Sequence, residues 1–158
     1  MNLTLDGWNF CIQILEDDTM KGLTIDQLSV GQSASFAKTI TETDVYMFAG
    51  ISGDMNPAHI NEEYAKNTMF KGRIAHGMLG ASLISTVLAM HLPGPGTIYL
   101  GQTLKFLAPV CFGDTITATC AVKEIFAEKN RVVLECTVTN QDGTAVISGE
   151  ATVMPPKS

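Results

Sequence analysis

Of the three histidines in the chain, only His59 has a carboxylate close by in sequence, Asp54, on a segment that cannot be regular. Gly53 and Pro57 punctuate Ser52-Gly53-Asp54-Met55-Asn56-Pro57-Ala58-His59, and Asn56 is pushed toward extended geometry by the proline that follows it. On a helix, Asp54 and His59 would point about 140° apart. A bent loop can instead aim the carboxylate and the imidazole at one point and hold a water between them, one accepting a proton while the other donates. Spacing alone leaves a structural pair and a catalytic pair both open.

A second feature lies downstream, where Ala75-His76-Gly77-Met78 opens an uncharged apolar stretch. A helix N-terminus presents unsatisfied N–H groups and a partial positive charge that can receive an oxyanion. Gly77, with no side chain, would let a carbonyl approach that backbone, although a close-packing glycine fits the same pattern. His76 reads as a packing or hydrogen-bonding residue at the helix start, and His91 at the helix end suits the macrodipole. A metal site built from Asp54, His59 and His76 lacks a recognisable ligand spacing, so no metal is expected. Lys66, Lys71 and Arg73 form a patch with no acid between residues 64 and 76.

The elements that must position these groups follow from periodicity and punctuation. Ser33 to Ile40 reads as a strand, and Thr41-Glu42-Thr43-Asp44 caps a helix that stops at Gly50 or soon after. Asn61 caps a short helix from Glu62 to Asn67. Ile74 to Leu104 holds 31 residues without Asp, Glu, Lys or Arg, but Pro93, Gly94, Pro95 and Gly96 cut it short of a membrane span. Gly77 to Leu92 reads instead as a core helix buried on nearly all sides, about 24 Å long. Four strands follow, Thr97 to Val110, Thr115 to Phe126, Arg131 to Gln141 and Thr144 to Val153, separated by turn signals of which Asp142-Gly143 is the strongest hairpin cue. Helices early and strands late predict an α+β domain with an antiparallel sheet against the uncharged helix.

Composition bounds the partners. The 158 residues carry 10 Lys+Arg and 16 Asp+Glu, a net charge of −6, with 46% hydrophobic and 16% charged residues, the balance of one folded domain. Residues 1–30 hold five acids and one base, or −4, which leaves −2 for the rest. With no Lys/Arg stripe, a nucleic-acid partner is not expected. Cys11, Cys111, Cys120 and Cys136 show no zinc or disulfide spacing and read as free thiols of a cytoplasmic protein. No signal peptide is expected at the N-terminus. Residues 1–27 form an acidic lead-in, with Trp8 to Ile14 alternating loosely enough to be an extra strand, and residues 28–158 form the domain.

Gly53-Asp54-Met55-Asn56-Pro57-Ala58-His59, then Gly72-Arg73-Ile74-Ala75-His76-Gly77-Met78 and Ile98-Tyr99-Leu100-Gly101-Gln102, resemble the MaoC-like (R)-specific enoyl-CoA hydratases, or hydratase 2, from about Val30 to Val153. The resemblance implies a hot-dog fold, a long central helix wrapped by a curved antiparallel sheet. It implies reversible syn hydration of a short to medium trans-2-enoyl-CoA, such as crotonyl-CoA, to an (R)-3-hydroxyacyl-CoA in fatty-acid metabolism. Asp54 and His59 would be the catalytic dyad, the Gly77 N–H the thioester-carbonyl site, Asn56 and Ser85 supporting residues, and Lys66, Lys71 and Arg73 contacts to coenzyme A phosphates. Ala58 and Asn61 depart from the residues common in the family and flank the dyad. No cofactor is implied beyond the coenzyme A of the substrate, and a homodimer or dimer of dimers is expected, without membrane or nucleic-acid partners. A hot-dog acyl-CoA thioesterase and a non-catalytic acyl-CoA-binding module are the alternatives.

Overall fold

A computed structural model describes residues 21–157. The first strand, β1 (Ser33–Thr39), is followed by three helices, α1 (Glu42–Ser52), α2 (Pro57–Ile60) and α3 (Glu62–Ala65). The long helix α4 (Gly77–Met90) comes next, then β2 (Ile98–Phe106), β3 (Thr115–Phe126), β4 (Arg131–Thr139) and β5 (Ala145–Met154). The strands make one antiparallel sheet in the order β1-β3-β4-β5-β2. The expected α+β, hot-dog arrangement of helix and sheet is therefore present.

Period-2 patterning puts one face of the sheet inside. Ile116, Ala118, Cys120 and Val122 of β3 and Val132, Leu134, Cys136 and Val138 of β4 are all buried, and the register pairs Ala118 with Val138 and Cys120 with Cys136. The thiols of Cys120 and Cys136 are free, with their Sγ atoms 3.6 Å apart. Leu79, Leu83, Ile84, Val87 and Leu88 of α4 join the same core. Asp142-Gly143 lies in the β4–β5 hairpin, where Gly143 N–H donates to Asn140 O at 3.0 Å.

Several boundaries differ from expectation. The long helix ends at Met90 rather than Leu92, so its 14 residues span about 21 Å. It is also not buried all round: Met78, Ser82, Ser85, Ala89 and Met90 are exposed. Absence of charge marked the helix as apolar, yet small residues on one face need not be covered by the same chain. The short helix capped by Asn61 ends at Ala65 rather than Asn67. Pro57, read as a breaker, instead occupies the first turn of α2, where its missing N–H costs nothing. His59 is thus helical while Asp54 is not. The edge strand β2 ends at Phe106, short of Val110, because Pro109 cannot continue a ladder.

The proposed strand at Trp8 to Ile14 lies outside the described residues. The end of the lead-in belongs to the fold, since Gly22 and Leu23 N–H groups donate to Pro95 O at 3.0 Å and Pro93 O at 2.8 Å. No described helix is long and apolar enough to cross a membrane.

The α1 start is a capping box. Thr41 Oγ1 accepts from Asp44 N–H at 3.2 Å, and Asp44 Oδ2 accepts from Thr41 N–H at 2.8 Å. The Thr41 hydroxyl, then its N–H, lowers the Asp44 pKa below the usual 3.8. A folded pKa below the unfolded one means the box stabilises above pH 3.8 and is lost as pH falls through the lower, folded value. Thr41→Ala should cost about 1 kcal/mol in urea unfolding at neutral pH. The cost should shrink below the carboxylate range; a pH-independent difference would assign the effect to something other than the box.

Candidate active site

Local hydrogen bonds set Asp54. Helix α1 closes on Gly53 at φ +77°, a left-handed cap that suits glycine, and its N–H donates to Ala49 O at 2.9 Å. The chain then turns: Asp54 N–H donates to Ser52 Oγ at 3.2 Å, and Asp54 Oδ1 accepts from Asn56 N–H at 3.1 Å. Asn56 Oδ1 in turn accepts from Ala58 N–H at 3.1 Å and caps α2. Asn56 therefore supports both members of the pair, one through its main chain and one through its side chain.

His59 sits in the only turn of α2, and its Nδ1 lies 2.8 Å from Ile74 O. A carbonyl oxygen only accepts, so Nδ1 carries a proton, and in the neutral ring Nε2 keeps a lone pair for a ligand. The Ile74 segment is itself tied down, by Ile74 N–H to Ala58 O at 3.2 Å and Ala75 N–H to Val110 O at 2.8 Å. His76 follows, 3% exposed, with Nε2 at 2.9 Å from Asp54 O. The His59 and His76 rings stack at 3.8 Å between centroids with a 33° tilt.

The start of α4 completes the group. Leu79 and Gly80 N–H groups return to His76 O, which leaves Gly77 and Met78 as first-turn donors with no backbone acceptor among the described residues. A Cβ on Gly77 would meet the Phe106 ring at 2.7 Å, so the glycine permits close approach here. Asp54, His59, His76 and Gly77 all line one cavity of about 590 Å³, within the usual size of a small-molecule site. Its walls are apolar: Phe48, Met69, Phe70, Met78, Phe106 and Leu107. A water between Asp54 and His59 and a carbonyl at Gly77 would share this apolar-walled cavity, with the Gly77 donor aimed at developing charge.

Other expected site residues fare differently. Ser85, about two turns along α4 from Gly77, is on the exposed face and does not line the cavity. Arg73 is not a free cation: its guanidinium meets Glu42 Oε1 at 2.5 Å, Glu62 Oε2 at 3.3 Å and the Tyr46 hydroxyl at 3.0 Å, and lies over Phe112. Glu42 first, then Glu62, raises its pKa further. Lys66 pairs with Glu63. The window of residues 64–76 held no acid, but Glu42, Glu62 and Glu63 reach into it from outside. Of these three bases, only the Lys71 ammonium has no partner among the described residues. His91 stands at the C-cap of α4 as expected.

Sequence spacing also gave no sign that His76 joins Asp54 and His59. One donor atom of each lies within 4.8 Å of the others, brought together from the 54–59 stretch and the segment that precedes α4. The aromatic walls were equally hidden, since Phe48, Phe70 and Phe106 look like ordinary core residues in sequence. Of the eight methionines in the chain, Met69 and Met78 line this cavity, where their flexible side chains suit an adaptable wall.

A MaoC like domain model matches residues 27–144. Over 131 residues the chain is 58% identical to an (R)-specific enoyl-CoA hydratase of Rhodospirillum rubrum, covering 83% of this chain and 90% of the relative. It is 44% identical to a 3-hydroxybutyryl-CoA dehydratase of Methylorubrum extorquens, covering 87% of each. Among solved structures, an unliganded R-hydratase of Pseudomonas aeruginosa superimposes with a TM-score of 0.82 at 48% identity, covering 87% of this chain and 88% of that one. With the loop dyad, the helix start and the wrapped sheet in place, these likenesses settle the family: the chain belongs to the MaoC-like dehydratases.

Proposed function

We propose that the protein is an (R)-specific enoyl-CoA hydratase, a hydro-lyase that reversibly adds water to a trans-2-enoyl-CoA. The observation that carries the reading is the shared cavity, in which the Asp54–His59 pair stands beside the Gly77 helix start. In this reading the water oxygen bonds to C3 of the enoyl group while its proton passes through the dyad to C2. Charge that develops on the thioester oxygen is received by the Gly77 N–H. The lone pair of His59 Nε2 and the Asp54 carboxylate hold the water, and Asn56 orients both. Addition from the one face that the dyad occupies gives a single enantiomer, and the likeness to (R)-specific relatives supports the (R) product. The apolar walls suit a short to medium acyl chain, and Lys71 is the one cation of the expected phosphate patch left to meet coenzyme A.

The reaction in this reading is acid–base chemistry and calls for no metal. A homodimer is supported by β2, which ends the sheet and leaves Ile98, Tyr99 and Leu100 exposed at 51%, 40% and 45%, beside the uncovered face of α4. The expected role of Ser85 depends on that face being covered, because within one chain Ser85 stands outside the cavity. A cytoplasmic location is supported by the thiols of Cys120 and Cys136, which are free although adjacent.

With crotonyl-CoA, enoyl absorbance should fall while the thioester survives, and the product should be the (R) isomer. Prior dialysis against a chelator should leave the rate unchanged. Asp54→Asn and His59→Ala should each lower kcat by about 100-fold or more. Release of free coenzyme A would point to a thioesterase, and full turnover in both variants would remove the dyad. Gly77→Ala is expected to leave thermal stability near wild type, since the half-exposed Phe106 ring can swing aside, while kcat/KM falls about 100-fold. In solution, light scattering should return a mass of two chains, and charged substitutions at Ile98 and Leu100 should lower it to one.

A further inference from the structure

His76 is the residue that the dyad's chemistry leaves unexplained. It is the one buried polar side chain among the described residues, and its Nδ1 has no hydrogen-bond partner there. An orphaned buried nitrogen costs stability that an apolar ring of similar shape would not, so an imidazole at this position calls for a reason. Two contacts supply one. Nε2 lies 2.9 Å from the main-chain carbonyl of Asp54, which makes His76 the Nε2–H tautomer. Its ring lies against His59 at 3.8 Å, with Phe48 packed on it at 5.0 Å. His76 also immediately precedes Gly77, so it touches or adjoins all three groups assigned to the reaction.

We propose that His76 is a positioning residue for the hydration: its Nε2–H fixes the main chain at Asp54, and its ring face fixes the tilt of His59. The proposal rests on the reading that this dyad performs the reaction. Because His59 is already tethered at Nδ1 by the Ile74 carbonyl, one degree of freedom remains to its ring, rotation about that tether. The stacked His76 ring is what removes it. Asp54 likewise has its carboxylate oriented by Asn56 N–H, while the position of its main chain relative to His59 depends on the His76 bond.

The test separates the two contacts. A shift of about 1 Å at a reacting group costs on the order of 100-fold in rate, so His76→Leu, which loses both, should lower kcat about that much with KM nearly unchanged. His76→Gln keeps an N–H near the Nε2 position, and His76→Phe keeps the ring. Each should recover about tenfold of the loss. Wild-type kcat in a folded His76→Leu variant, or a loss confined to KM, would overturn the proposal. Asp54→Asn and His59→Ala run in parallel distinguish the failures: if they too retain turnover the dyad reading falls, and if they alone lose it only the role of His76 falls. Should His76→Leu not fold, long-range nitrogen–proton NMR of the wild-type protein decides. His76 should appear as the Nε2–H tautomer and His59 as Nδ1–H, and a His76 Nδ1–H tautomer would overturn the assignment.

Discussion

The packing of α4 into the curved sheet is the constraint on which the rest depends. A charge-free helix has no stable place in water, and the inner faces of β3 and β4 offer the apolar surface it needs. Ile84, Val87 and Leu88 are at most 1% exposed, as are Ile116, Leu134, Val138 and Ile147 from the strands. Gly80 lies where a Cβ would stand 3.3 Å from Ile147 and 3.5 Å from Ile116, so helix and sheet approach with little slack. Burial on this scale fixes the helix along its axis, and with it the position of its first turn. The donors at Gly77 and Met78 are thereby held by the whole core instead of by a loop.

The dyad side of the cavity is built on a different principle. Its segments bury little, and they are ordered by local hydrogen bonds: the capping box at Thr41 and Asp44, the glycine cap at Gly53, the Asn56 cap of α2 and the Asn61 cap of α3. Each bond is short in sequence and individually worth on the order of 1 kcal/mol. Two longer connections join this chain of caps to the helix. One is His59 to the Ile74 carbonyl at 2.8 Å, and the other is His76 to the Asp54 carbonyl at 2.9 Å. They cross between the same two segments in opposite directions, each imidazole donating to a carbonyl of the other's segment.

Much of this was legible in the linear chain. Alternating Val, Ile and Thr marked β3 and β4 to within two residues, because inward and outward positions repeat every second residue whatever the sheet's neighbours are. Thr41 and Asn61 announced the starts of α1 and α3, since caps act over three or four residues. Reading failed where distance in sequence and distance in space part company. Arg73 looked free for a phosphate, yet Glu42, 31 residues earlier, neutralises it. The face of α4 carrying Ser85 looked buried because it bears no charge, and Pro57 looked like a breaker although it opens a helix.

By itself, then, the sequence determined the class of fold, the segments that carry Asp54, His59 and Gly77, and the apolar character of the helix behind them. These properties depend on side-chain type and on spacing within a few residues. The tertiary structure alone decided that two segments bring His76 against His59, which ring nitrogens donate to carbonyls, and which aromatic and methionine side chains wall the cavity. Those outcomes depend on how the sheet curves around α4, and that curvature sums packing over the whole core.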